Sequence, residues 1–139
     1  MIILDTNVLS ALMRREPERP VVEWLDRQPW PSVWTTSITI LEIRFGLHAL
    51  PAGKRRSELI QAFERVVIDR MEQRVAPFDT AAAEYAADLT ASRKKKGHPV
   101  ELRDTMIAGI ALSRGATLAT RNTRHFSDLP LRLVDPWAK

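Results

Sequence analysis

Met1-Ile2-Ile3-Leu4-Asp5-Thr6-Asn7-Val8-Leu9-Ser10-Ala11-Leu12-Met13 is the stretch that decides the fold. Its first four apolar residues are too few for a helix, they stop abruptly at Asp5-Thr6-Asn7, and a second apolar stretch follows at once. That pattern predicts a buried strand running into a helix, with a carboxylate at the junction. In open α/β sheets ligands bind beyond the carboxyl ends of the strands, so Asp5 stands where such a fold carries its chemistry. Asp before a helix is also a common N-cap, and Thr6 and Asn7 are capping and turn residues. Which role Asp5 plays depends on whether other carboxylates converge on it.

Downstream, the same alternation of short apolar runs and helical periodicity recurs. Pro20 suits the first turn of a helix carrying Val21, Trp24, Leu25 and Gln28, and Pro29-Trp30-Pro31 breaks it. Val33 to Thr36 reads as a second strand, and Ser37 as the cap of a helix from Ile38 to about Leu50. Pro51-Ala52-Gly53 separates that helix from an amphipathic one with Leu59, Ile60, Phe63, Val66 and Val67 inward. Val75 to Phe78 forms a third strand whose Pro77 suggests a sheet edge, and Asp79 caps an alanine-rich helix ending at Gly97. A helix from about Leu102 to Arg114, a strand at Thr117 to Thr120 and an edge strand at Leu131 to Val134 complete the chain. Strands separated by helices imply a parallel sheet covered on both faces.

Composition bounds the function. The 139 residues, 45% hydrophobic, suffice for one domain with a real core and leave no length for a second. No window approaches the apolar length of a membrane span and the N-terminus lacks a signal-peptide pattern, so the expected location is the cytoplasm, with no membrane contact. The absence of cysteine excludes disulfides, thiolate metal sites and cysteine nucleophiles. Lys and Arg number 21 against 17 Asp and Glu, a net charge of +4. The excess gathers in Arg14-Arg15, Lys54-Arg55-Arg56 and Arg93-Lys94-Lys95-Lys96, which can neutralise phosphates or simply keep the surface solvated.

Two further acids qualify as partners of Asp5. On the helix after the second strand, Ile38, Leu41, Phe45 and Ala49 are the expected buried stripe, with Glu42 within it, about 40° from Ile38. A carboxylate on such a stripe needs a cation, a donor network or a metal; alternatively Glu42 lies at the margin, paired with Arg44 or another base. Asp104 occupies a first helical turn and shares a ridge with Ile107, Ala108 and Ala111, whose small residues let the helix approach the sheet closely. An acid favoured by the helix dipole is the competing explanation.

The segments Leu4-Asp5-Thr6-Asn7, Thr36-Ser37-Ile38-Thr39-Ile40-Leu41-Glu42, Leu102-Arg103-Asp104-Thr105-Met106-Ile107-Ala108 and Ala119-Thr120-Arg121-Asn122-Thr123-Arg124-His125-Phe126, in that order, resemble a PIN-domain ribonuclease. The chain is most similar to the VapC toxins of bacterial toxin–antitoxin pairs, especially a FitB-like branch whose members often end in a Pro-Trp motif like Pro136-Trp137. The resemblance spans residues 1–139 and implies one nuclease domain, a three-layer α/β/α sandwich with a mainly parallel central sheet. It also implies Mg²⁺- or Mn²⁺-dependent endoribonuclease activity on RNA, a cognate small antitoxin protein and a homodimer. Metal roles fall on Asp5, Glu42 and Asp104. The family's fourth acid is replaced by Asn122, and a further Asp common before the Phe is His125 here. Asn122 is therefore a catalytic candidate that orients a water or coordinates weakly without adding charge. Thr6 and Thr120 are candidates for fixing the acids by hydrogen bonds.

Two other classes compete. A phosphoacceptor signalling domain would place paired acids after its first strand, whereas Asp5 is followed by Thr6-Asn7. A catalytically weakened PIN-like RNA-binding module would account for Asn122 and His125. Trp24, Trp30 and Trp34 are either core residues or anchors lining an antitoxin groove.

Overall fold

In the computed structural model, which describes residues 1–138, the first apolar run is the central strand of a five-stranded sheet. Strand β1 (Ile2–Leu4) leads into α1 (Thr6–Met13) and α2 (Arg19–Asp26). Then come β2 (Val33–Thr36), α3 (Ser37–Ala49), α4 (Lys54–Glu64) and β3 (Val75–Ala76). The chain closes with α5 (Thr80–Lys95), α6 (Leu102–Ser113), β4 (Thr117–Ala119) and β5 (Leu133–Val134). All strand pairs are parallel, in the order β3-β2-β1-β4-β5. A π-helical turn, Arg65–Arg70, continues α4 and brings Val66 and Val67 inward.

The central strands read as apolar runs because both faces are covered. One core cluster joins Leu4 to Val8 and Leu9 of α1, Val21 and Leu25 of α2, Ile43 and Leu47 of α3 and Phe63 near the end of α4. The other joins Ile3 and Leu118 to Ala82 and Leu89 of α5, Ile107, Ala108 and Ala111 of α6, and Phe126. The result is an α/β fold with helices on both faces of an all-parallel sheet. Helix α6 packs closely on α5: a Cβ added at Gly109 would stand 2.5 Å from the Ala82 carbonyl oxygen and 3.1 Å from the Ala86 nitrogen. The ridge of Ile107, Ala108 and Ala111 expected on α6 is buried, and Gly109 beside it makes the close approach to α5.

Four local expectations are corrected. The buried face of α3 is Ile38, Thr39, Ile43 and Leu47, not the stripe through Leu41, Phe45 and Ala49; Leu41 is 58% and Phe45 70% exposed. The helix carries apolar residues around most of its circumference, so period alone does not choose a face, and Thr39 hides on the buried one because its hydroxyl is bonded internally. Its cap is Thr36, whose Oγ1 accepts from Thr39 N at 3.1 Å, rather than Ser37. Ser37 Oγ instead accepts from Phe78 N at 3.0 Å and ties α3 to the end of β3. Edge strands β3 and β5 pair over two residues each, shorter than the four-residue runs suggested. Arg93 leaves the basic run at the end of α5 and turns into the protein, 6% exposed. Trp24 is buried, while Trp30 and Trp34 are partly buried against the two clusters.

Candidate active site

Asp5 lies one residue beyond β1, at the carboxyl end of the sheet's middle strand, and only 3% of it is exposed. It is the N-cap of α1: its Oδ1 accepts from Thr6 N at 2.8 Å. Capping uses one oxygen. The other, Oδ2, accepts from Thr120 Oγ1 at 2.7 Å and from Asn7 Nδ2 at 3.4 Å. Thr120 is delivered by register, because Leu4 pairs with Ala119 and the next residue of each strand lies beside the other. Its hydroxyl accepts from Asn122 N at 3.0 Å, which commits its hydrogen to Asp5. Asn7 Oδ1 in turn accepts from Arg121 N at 3.1 Å, so both loops at this end of the sheet are tied around one carboxylate.

Glu42 reaches the same end of the sheet from α3, at the margin of its buried face, with its side chain 24% exposed. A file of hydroxyls holds it: Thr36 Oγ1 donates to Thr39 Oγ1 at 3.3 Å, Thr39 and Thr6 hydroxyls meet at 3.1 Å, and Thr6 Oγ1 donates to Glu42 Oε1 at 3.0 Å. The base beside Glu42 is Arg103, at 3.9 Å from Oε2, while Arg44 lies over the Phe63 ring at 4.9 Å. Asp104 enters from the first turn of α6, where its backbone N–H is capped by Glu101 Oε2 at 3.0 Å. Its Oδ2 lies 3.0 Å from His125 Nδ1, in the short 3-10 turn Thr123–His125.

Electrostatics tie the three acids together. Burial pushes the Asp5 carboxyl above its ordinary value; the hydrogen bonds from Thr120 and Thr6 pull it down, and repulsion from Asp104 and Glu42 adds to the rise. Its hydrogen-bond partners are neutral, and among the described residues no Lys, Arg or His forms a salt bridge with it. A buried carboxylate compensated only by neutral dipoles is costly to ionise, and a hard divalent cation is the group that would relieve it. The donor set therefore fits such an ion in its chemistry. In its spacing it is not a ready-made cage: among the described residues no three His, Asp or Glu side chains stand close enough to ligate one ion. Mg²⁺ commonly takes one or two protein carboxylates and fills its shell with waters, so a complete cage is not required.

Asn122 presents an exposed side chain, and what it gives the site is its backbone N–H to Thr120. Asn7 and Thr39 hold the acids in place although the sequence did not single them out, and His125, marked there only as a departure from the family pattern, holds Asp104. Asn7 stood two residues from Asp5, and Thr39 three from Thr36, a helix-capping spacing that could have revealed it. Replacing Thr120 by Val keeps the shape but strips Asp5 Oδ2 of its shorter hydrogen bond and Asn122 N of its acceptor. The expected cost is about 1–2 kcal/mol, read as a lower denaturant midpoint at unchanged m-value, together with reduced activity.

Comparison with known proteins places this architecture. Residues 2–130 match the PIN domain family. The chain is 42% identical to the VapC ribonuclease Y4jK of Sinorhizobium fredii, over 99% of this chain and 98% of that one. It is 34% identical to toxin FitB of Neisseria gonorrhoeae, over 99% of both chains. The crystal structure of FitAcB from Neisseria gonorrhoeae superimposes with a TM-score of 0.89 at 33% identity, covering 100% of each chain.

Proposed function

Because the chain belongs to the PIN-domain family, with VapC and FitB toxins among its relatives, we propose that it is a Mg²⁺- or Mn²⁺-dependent endoribonuclease, the toxin of a type II toxin–antitoxin pair acting in the cytoplasm. The observation that carries the proposal is Asp5: a buried acid at the end of the central strand, uncompensated by any cation among the described residues and raised further by the charges of Asp104 and Glu42. Of Asp5, Asp104 and Glu42, one or two would hold the ion directly and the third through a water. Such an ion would supply positive charge against the phosphate oxygens and lower the pKa of a water for attack on phosphorus.

The chain's own residues supply orientation. Thr120 and Thr6 N fix both oxygens of Asp5, the hydroxyl file from Thr36 fixes Glu42, and His125 holds Asp104. Asn122, exposed beside them, has an amide to orient the attacking water. Arg103 and Arg121 stand ready for the RNA backbone; the Arg121 guanidinium is steadied over the Trp137 ring at 4.9 Å, and Trp137 Nε1 is held by Glu18 Oε2 at 2.8 Å. The exposed Leu41 and Phe45 of α3 support self-association as a homodimer. A small antitoxin is the expected regulator, with a basic side chain directed at the acids.

RNA cleavage by the purified protein, followed with Mg²⁺ or Mn²⁺ and with EDTA, tests the proposal. The expected result is cleavage that falls at least about 100-fold in EDTA and returns with either ion, and an ion-dependent rise in melting temperature. The competing assignment, an RNA-binding module that has lost catalysis, draws on Asn122 and on the spacing of the acids. RNA binding with no cleavage in either ion would select it.

A further inference from the structure

Beside the acids, and sharing Asp104 and His125 with them, a cleft of about 670 Å³ opens between the α5–α6 loop and the turn after β4. Pro99 and Val100 of the loop form an apolar wall, and Arg124 stands exposed at the rim. The floor is an ion pair. Arg93 Nη2 lies 3.1 Å from Asp128 Oδ1 and also donates to the His125 carbonyl. Partial burial would raise the Asp128 carboxyl, but the hydrogen bond and charge of Arg93, with help from His98, hold it below the ordinary value. Both Arg93 contacts use Nη2, and Nε is buried without a partner among the described residues, so the guanidinium is held in the floor by the Asp128 and His125 contacts.

We propose that this cleft seats one unpaired nucleotide of the RNA, next to the phosphate that is cut. The assignment rests on the ribonuclease function proposed above. Its volume lies in the range of small-ligand pockets, roughly 300–1,000 Å³. The apolar wall offers a surface for a base face, and Asp128 at the floor offers an anionic acceptor for an amino group at the edge of a base. Arg124 at the rim meets a flanking phosphate. The shared Asp104 makes the cleft contiguous with the acids, so a nucleotide seated there is the neighbour of the scissile bond. A base can enter such a pocket only when it is unstacked, so the substrate is single-stranded or looped at that position.

The test is the affinity of the full chain for a labelled ten-nucleotide RNA, single-stranded or annealed to its complement, in Ca²⁺ with the RNA checked for integrity. Val100→Asp places a charge on the apolar wall; Ile68→Asp places the same charge at a comparably exposed aliphatic residue after α4, in the layer on the other side of the sheet, as control. Expected results are tighter binding of the single strand than of the duplex, a loss of about tenfold or more for Val100→Asp, and none for Ile68→Asp. Arg124→Ala should weaken binding and lower the salt dependence by about one counterion. If Val100→Asp and Arg124→Ala match the wild type or the Ile68→Asp control, or if duplex binds as well as single strand, the cleft is not a nucleotide seat while the ribonuclease assignment stands. Failure of the wild type to bind RNA at all overturns both.

Discussion

Asp5→Asn is expected to reduce RNA cleavage by about 10²–10³-fold while the protein becomes more stable at neutral pH. Loss of activity follows from removing the charge that an ion would bind; the gain in stability follows from removing a buried charge that, among the described residues, only neutral dipoles compensate. The sign with pH is definite. Burial raises the native-state value of Asp5 above 3.8, so the folded chain holds that proton more tightly than the unfolded chain. The associated stability is complete below 3.8 and is lost as pH rises through the native value. Melting temperatures of wild type and variant should therefore diverge on the alkaline side and converge in acid. Mg²⁺ should raise the wild-type value and leave the variant nearly unmoved. A variant that cleaves RNA at the wild-type rate would remove Asp5 from the site.

Gly109→Val should destabilise the fold by about 3 kcal/mol or more, a fall in melting temperature on the order of 10 °C. The first atom added meets backbone: the Ala82 carbonyl oxygen at 2.5 Å and the Ala86 nitrogen at 3.1 Å, neither of which can rotate away. Helices α5 and α6 must separate, and Asp104 rides on α6, so activity should fall further than the unfolded fraction explains. Gly46→Ala is the matched control of opposite sign. Gly46 lies on the exposed face of α3 with nothing within 4 Å of an added Cβ, so alanine there should stabilise by about 0.5–1 kcal/mol through helix propensity. Equal effects from the two substitutions would mean that the α5–α6 contact is looser than the structure has it.

The strands were readable in the sequence because buried parallel strands are written as short apolar runs ended by polar residues, at Leu4-Asp5, Thr36-Ser37 and Ala119-Thr120; their order was not, beyond the two edge strands. The inner face of α6, and with it the position of Asp104, was readable because the ridge of Ile107, Ala108 and Ala111 has one clear inner side, and those residues are buried. Helix α3 has no such contrast, and the face assigned from its periodicity was displaced; Glu42 still reached the site because the hydroxyl of Thr6 holds it from the neighbouring element. Arg93 was hidden by its neighbours Lys94, Lys95 and Lys96, although Ala82, Ala86, Leu89 and Arg93 share the buried face of α5 at helical spacing. The pairing of His125 with Asp104 spans 21 positions and depends on how the turn after β4 folds back, which no local pattern encodes.

The middle strand of the sheet is made well before the strand that pairs with it on one side. Ile2 to Leu4 must wait for Thr117 to Ala119 before the centre of the sheet closes, and Asp5 meets Thr120 across 115 positions. At about 5–20 residues per second, that interval is roughly 6–25 s of translation in which the nascent polypeptide has its first acid but not the hydroxyl that orients it. Such long-range parallel pairing is slow to form and resists assembly in stages. The candidate site is therefore oriented only after Thr120 has been made, so its geometry is a product of the whole domain's folding and of no single segment.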